Sequence, residues 1–153
     1  TDTLTVNQTD YAQNMSVDYL RGLCYLGLKN LDKAEEYFNI YVDQETAENG
    51  AEYVDENAFL YLGIIKNYRN DYEAAINQFD RALRYESGNA DVHYHRAKAF
   101  YKMGENESAQ KDLDLARALM DDNKQLRGFY YEAIEQIYNS DIEKLEANIN
   151  VTP

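Results

Sequence analysis

The chain is poor in the residues that interrupt helices. Its one proline is the last residue, Pro153, and it has only seven glycines. Nothing before Pro153 locks φ or withholds a backbone N–H, so a nearly all-helical chain is open to it. The single cysteine, Cys24, excludes an internal disulfide. Its expected place is the packed interior, since free cysteine is among the most buried residue types. Long apolar runs are missing too. The longest, Ala58–Ile65, is far short of the roughly 20 residues a spanning helix needs, and no stretch has the form of a signal peptide. Membrane insertion is therefore not expected. Positive charge is scarce: 15 Lys and Arg face 28 Asp and Glu, a formal net charge of −13. That balance excludes nucleic acid, whose phosphates demand a basic footprint, and adsorption on an anionic membrane. Solubility accounts for the acidity itself. The first residue is Thr rather than Met, which points to a processed or excised piece. An exported location, periplasmic or lipoprotein, is on that ground expected ahead of a cytoplasmic one.

What is present is a unit written twice. With Gly63 set on Ala97, residues 56–123 fall into step at a spacing of 34. Asn70 meets Gly104, Ala75 meets Ala109, Phe79 meets Leu113 and Ala82 meets Ala116. A period of this length is the signature of stacked helical hairpins. Small residues at the eighth and twentieth places let two antiparallel helices approach to about 8–10 Å. A bulky residue at the twenty-fourth fills the space beside them. A third small residue, Ala82 or Ala116, admits the first helix of the next hairpin. A weaker copy stands 41 residues upstream, with Gly22, Tyr25, Ala34 and Phe38 at the matching places.

These residues resemble the tetratricopeptide repeat family. The likeness is clearest in NAFLYLGIIKNYRNDYEAAINQFDRALRYESGN (57–89), good in ADVHYHRAKAFYKMGENESAQKDLDLARALM (90–120) and weaker in YLRGLCYLGLKNLDKAEEYFNIYV (19–42). Asp18 and His93 stand where the family has a large apolar residue, Lys66 where it has an aromatic, and Tyr41 where it has a small one. Ser87 and Asp121 replace the proline that often closes the repeat. The resemblance implies an all-α, right-handed α-solenoid of three helical hairpins with a C-terminal capping helix.

Along the chain, residues 1–10 read as a flexible lead-in and 11–48 as the divergent first repeat. Asp10 and Gln13 form a capping-box pair, so the first helix is expected to begin near Tyr11. Its apolar residues Val17, Leu20, Cys24 and Leu28 recur at helical spacing and predict one buried stripe. Residues 49–55 lie in an acidic insertion with Asn49-Gly50 as its turn signal; its carboxylates lack the alternate spacing of a calcium loop. The second repeat is 56–89 and the third 90–123, with helices near 54–68, 72–86, 90–103 and 106–120. A helix at 124–139 takes the place of a next first helix and is expected to cap the array. Residues 140–153 form a short amphipathic tail, with Ser140 and Glu143 as its capping-box pair.

No catalytic constellation emerges, and no cofactor or metal is implied. His93 and His95 are two apart, so on a helix they point roughly 200° from one another and cannot share a metal. There is no phosphate-cradling glycine loop and no nucleophile-elbow pattern. The reading is a non-enzymatic module that binds a protein or peptide segment. In the family the first helix of each hairpin lines a concave groove. The matching residues here are Tyr19 and Leu23 in repeat one; Asn57, Leu60, Ile64, Asn67 and Tyr68 in repeat two; and Tyr94, Lys98, Tyr101 and Lys102 in repeat three. Tyrosine gives large contact area at low entropy cost, and asparagine offers a donor and an acceptor to a peptide backbone. Lys98 and Lys102 are placed to meet a carboxylate. The family's clamp for heat-shock chaperone tails needs Lys and Asn where Tyr19 and Leu23 stand, so that ligand is disfavoured. The alternatives are a self-associating scaffold, a homo-oligomer through its open end or its tail, and a ligand-sensing domain of an exported lipoprotein or regulator.

Overall fold

A computed structural model of the chain describes residues 16–121 and 137–151. Among them the regular structure is helical: α1 (Val17–Gly27), α2 (Leu31–Glu48), a 3-10 turn (Ala51–Tyr53), α3 (Glu56–Tyr68), α4 (Tyr72–Tyr85), α5 (Ala90–Lys102), α6 (Asn106–Asp121) and α7 (Asn139–Val151). The chain divides into two compact units, residues 1–54 and 55–153.

The first unit contains the hairpin α1–α2. Its helices close on Gly22, where an added Cβ would lie 2.8 Å from the Phe38 ring. Ala34 and Phe38 are fully buried, and Tyr19 meets Phe38 and Tyr41 edge-on at centroid distances of 5.7 and 5.1 Å. Tyr41, out of place for a small-residue position, is thus a packing partner of Tyr19. The buried face of α1 is Tyr19, Gly22, Leu23 and Leu26. The stripe expected from hydropathy, Val17, Leu20, Cys24 and Leu28, is exposed, Cys24 included. The reason is steric. Only the glycine face lets α2 come close, so Gly22 sets the rotation of α1 and overrides the second apolar face. The expected start near Tyr11, with its Asp10–Gln13 pair, lies outside the described residues.

The second unit stacks two hairpins, α3–α4 and α5–α6, with α5 packed on both α4 and α3. Gly63 repeats the role of Gly22 more tightly, its Cβ position 2.4 Å from Phe79 Cε1. In the third hairpin Ala97 faces Leu113, a smaller partner, and both are fully buried. The three hairpin turns are alike. Lys29, Asn70 and Gly104 hold equivalent places and all have positive φ, 58°, 59° and 81°. After each, an N–H bonds back to a carbonyl five residues earlier, Asn30 to Tyr25, Asp71 to Lys66 and Glu105 to Phe100, at 2.9–3.0 Å. This left-handed closure satisfies the last carbonyls of the first helix. The Asn30 and Asp71 side chains then cap α2 and α4 by accepting from the N–H groups of Lys33 and Ala74.

His93, at a place usually apolar, is buried because polar partners surround it. Its Nδ1 lies 3.0 Å from Asp112 Oδ1 and its Nε2 3.2 Å from the Ser87 carbonyl. Asp112 also accepts two 2.7 Å bonds from Arg96, whose remaining arm reaches Asp80 on α4. Burial alone would raise the Asp112 carboxyl, but the bonds from Arg96 and His93 and the Arg96 charge outweigh it and hold the group below its ordinary value. One network thereby joins α4, α5, α6 and the 86–89 connection.

The helix that shields the third hairpin, among the described residues, is α7. It packs on α6 and more lightly on α5, as α5 packs on α4 and α3. Ile142, Leu145 and Ile149 share a core with Ala109, Leu113 and Ala116. Glu146 accepts from Arg117 and Gln110, which holds its carboxyl below the ordinary value. The Ile137 N–H donates to buried Asp91 at the start of α5. The cap expected at 124–139 falls outside the described residues, apart from its last three positions. The Ser140–Glu143 cap is replaced by one two residues upstream, where Asp141 accepts from the Tyr138 N–H.

Candidate functional site

Between the first helices of the second unit's hairpins lies a cavity of about 200 Å³. α3 supplies Ile64, Asn67 and Tyr68; α5 supplies His95, Lys98 and Lys102; Asn70 and Tyr72 close it at the hairpin turn. The helical repeat explains the grouping. Ile64, Asn67 and Tyr68 are three and four residues apart, as are His95, Lys98 and Lys102, so each set shares one helix face.

Asn67 is the fixed point of the site. Its Nδ2 donates to the His95 carbonyl of α5 at 2.9 Å. That bond decides which end of the amide is which, because a carbonyl accepts only from the NH₂. Oδ1 is then left buried with no hydrogen-bond partner among the described residues. A buried acceptor left unmet costs about 1–3 kcal/mol, so a donor offered from the cavity recovers free energy there. One of the two amide N–H donors of Asn67 is thus given to α5. Asn70 holds its turn with φ of 59° and accepts from the Tyr72 hydroxyl at 2.7 Å. Lys98 and Lys102 are exposed, and Lys102 Nζ lies 5.9 Å from the Tyr101 ring centre. Two cations at the mouth of an apolar-floored pocket favour a carboxylate.

Residues 63–104 match the family model of the TPR repeat, and residues 19–39 match that of the tetratricopeptide repeat. The chain carries tetratricopeptide repeats. Over 57 residues it is 36% identical to mitochondrial import receptor subunit TOM70 of two Saccharomyces cerevisiae strains, YJM789 and S288c. That stretch is 37% of this chain and 9% of the relative's length. Its fold is similar to crystal structures of PcrH. One, in complex with the chaperone binding region of PopD, has a TM-score of 0.62 at 18% identity, covering 97% of this chain and 96% of that one. Another, PcrH from Pseudomonas aeruginosa, has a TM-score of 0.64 at 17% identity over 90% and 96%. The architecture is an all-α solenoid of helical hairpins. None of these similarities supports the exported location. Among the described residues no helix is long and apolar enough to cross a membrane.

The repeats sort the expected groove residues into three groups. Ile64, Asn67, Tyr68, Lys98 and Lys102 are brought together at the cavity. Tyr19, Leu23 and Leu60 are buried and present little surface. Tyr94 and Tyr101, each within a turn of Lys98 on α5, do not line the cavity and pack against the core shared with α7. There burial, and then Asp141 of α7, push the Tyr94 hydroxyl above its ordinary value. Asn57 is half-buried, its Oδ1 within 3.4 Å of Asn89 Nδ2. The cavity also uses three residues that sequence reasoning left out: Asn70, Tyr72 and His95. Asn70 was legible as a left-handed turn residue but carried no sign that its turn faces a pocket. His95 stacks on Phe79 of α4, with centroids 6.4 Å apart, and reads as a packing residue in the repeat.

Proposed function

We propose that the chain is a non-enzymatic protein–protein interaction module whose cavity between α3 and α5 holds a segment of another protein. The observation that carries this is the buried, partnerless Asn67 Oδ1 beside Lys98 and Lys102. An extended segment would donate a backbone N–H to Asn67 Oδ1, rest an apolar side chain on Ile64 and Tyr68, and set a carboxylate between the lysines. The repeats support this reading, and so does PcrH, a protein of the same fold that has been crystallised with the chaperone binding region of PopD. The name of TOM70, an import receptor subunit, agrees with a protein partner.

The test is selection of peptides from a random display library on the wild-type chain, with affinities then measured on Lys98→Glu/Lys102→Glu and Asn67→Leu. Enriched peptides should carry Asp, Glu or a free carboxyl terminus. The lysine reversal should weaken them about tenfold or more, a charge-assisted contact being worth about 1.5–3 kcal/mol. Asn67→Leu should weaken them without a preference for acidic sequences. Peptides that bind all three proteins equally would move the site off this cavity.

A further inference from the structure

Of the chain's asparagines only Asn49 precedes a glycine. It is the first residue beyond α2, exposed, and joined to Gly50, whose φ of 113° belongs to a turn that a side chain would strain. One residue holds both. The Glu45 carboxylate accepts from Asn49 Nδ2 at 2.7 Å, and the Glu45 main-chain carbonyl accepts from the N–H groups of Asn49 and Gly50 at 2.9 and 3.2 Å. Glu45 thus ties down a side-chain amide and, one peptide bond along, the nitrogen that can attack it.

We propose that Asn49-Gly50 is a self-modifying site, at which fraying of the last turn of α2 leads to loss of the Asn49 amide and leaves the turn open. Helix ends open far more readily than cores, and this one is exposed. When Glu45 lets go, the Gly50 nitrogen attacks Asn49 Cγ, unhindered because glycine has no Cβ beside it. The N–Cγ bond forms, the Cγ–Nδ2 bond breaks, and Nδ2 leaves as ammonia with the Gly50 amide proton. Water then opens the cyclic imide. Attack at Cγ gives aspartate; attack at the Asn49 main-chain carbonyl gives isoaspartate, whose backbone runs through Cβ. The balance is one water taken up and one ammonia released. Either product bars the way back. The NH₂ that donated to Glu45 has become a carboxylate, one turn from Glu45 and at the negative end of the α2 dipole, where like charges repel. No Lys or Arg stands between Lys33 and Lys66 to offset it. Isoaspartate also lengthens the backbone, so the two N–H groups no longer meet the Glu45 carbonyl together.

Peptide mass spectrometry on the full chain, aged in warm, mildly alkaline buffer, tests this. Asn49 should show the mass of NH replaced by O before any other asparagine, well ahead of Asn139, which precedes a serine in α7. Glu45→Ala, which frees Nδ2, should hasten the loss roughly three- to tenfold, the share of frayed molecules that one hydrogen bond of ordinary net strength holds back. Glu45→Gln keeps an acceptor for Nδ2 and should run near the wild-type rate. Asn49→Asp reproduces one product directly. Its amides at 49 and 50 should exchange roughly tenfold faster than in the unaged wild type, with those of α3 and α5 unchanged. Loss at Asn49 no earlier than at Asn139, a Glu45→Ala rate equal to wild type, or wild-type exchange at 49 and 50 in Asn49→Asp each overturns the proposal.

Discussion

Replacing Gly63 with alanine should destabilise the second hairpin although alanine is the better helix former. The added Cβ would lie 2.4 Å from Phe79 Cε1 and 2.7 Å from Cδ1. Carbon atoms in good contact stand about 3.5–4.0 Å apart, so the ring or the helix must move by about 1 Å. Overpacking of this kind costs about 1–3 kcal/mol, set against a propensity gain of about 1 kcal/mol, leaving a net loss near 1 kcal/mol. Phe79→Leu alone should also lose about 1–2 kcal/mol, through the space the ring vacates. Combined, the two changes reproduce the pairing the chain already uses in its third hairpin, where Ala97 faces Leu113 with both fully buried. The double variant should therefore be more stable than the sum of the single losses implies, by about 1 kcal/mol or more, because the methyl enters the space that the ring left. Urea unfolding followed by far-ultraviolet circular dichroism measures all four corners of the cycle, with no tryptophan needed. Strictly additive losses, or a Gly63→Ala variant more stable than wild type, would refute the steric account of the repeat.

Asp112→Asn should cost about 3 kcal/mol near neutral pH, because it leaves Arg96 and His93 facing a weaker partner in a buried network. The folded Asp112 carboxyl lies below its ordinary 3.8, so its contribution is whole above that value and is lost as the pH falls through and below it; urea midpoints of wild type and variant should converge on acidification. Leu145→Ala should remove about 2–3 kcal/mol of local packing from the contact of α7 with α6. Its amide exchange should rise in α6 and α7 and change little in α3 and α4, since stability in stacked repeats is shared between neighbours.

The parts of the fold legible in the sequence are those where a small residue must meet a large one. Gly22 with Phe38, Gly63 with Phe79, and Ala97 with Leu113 fix helix pairing by contact distance, and a one-residue slip would collide. The turns were legible for the same reason, since Asn70 and Gly104 tolerate positive φ. Two things were hidden. The face of α1 was misread because Val17, Leu20, Cys24 and Leu28 are as periodic as the face that is buried, and periodicity cannot choose between two apolar stripes. The role of α7 was hidden because any amphipathic helix after the third hairpin satisfies the same pattern, and only coordinates place Ile142 and Leu145 against Leu113. Of the candidate site, α3 and α5 keep Asn67, Tyr68, Lys98 and Lys102 together, as repeat positions implied. Tyr94 and Tyr101 left the set because α7 offers their rings a core.

Asn67 shows how stacking and recognition can be one event. Its amide is oriented by the His95 carbonyl, a group that belongs to the next hairpin, so Oδ1 keeps its place only while α5 is stacked on α3. A segment that donates to Oδ1 therefore has more affinity for the stacked arrangement than for an opened one. By mass action it must then stabilise the contact between the two hairpins in proportion to that difference. The lysines contribute differently. Lys98 and Lys102 are both on α5, and their attraction for a carboxylate survives any movement that carries the helix as a body. On the proposed reading, charge would draw a segment to α5 and the Asn67 carbonyl would make the bound state depend on the stack. A binding partner that protects the α3 and α5 amides from exchange in the wild type, but fails to do so in Asn67→Leu while still binding through the lysines, would separate the two contributions.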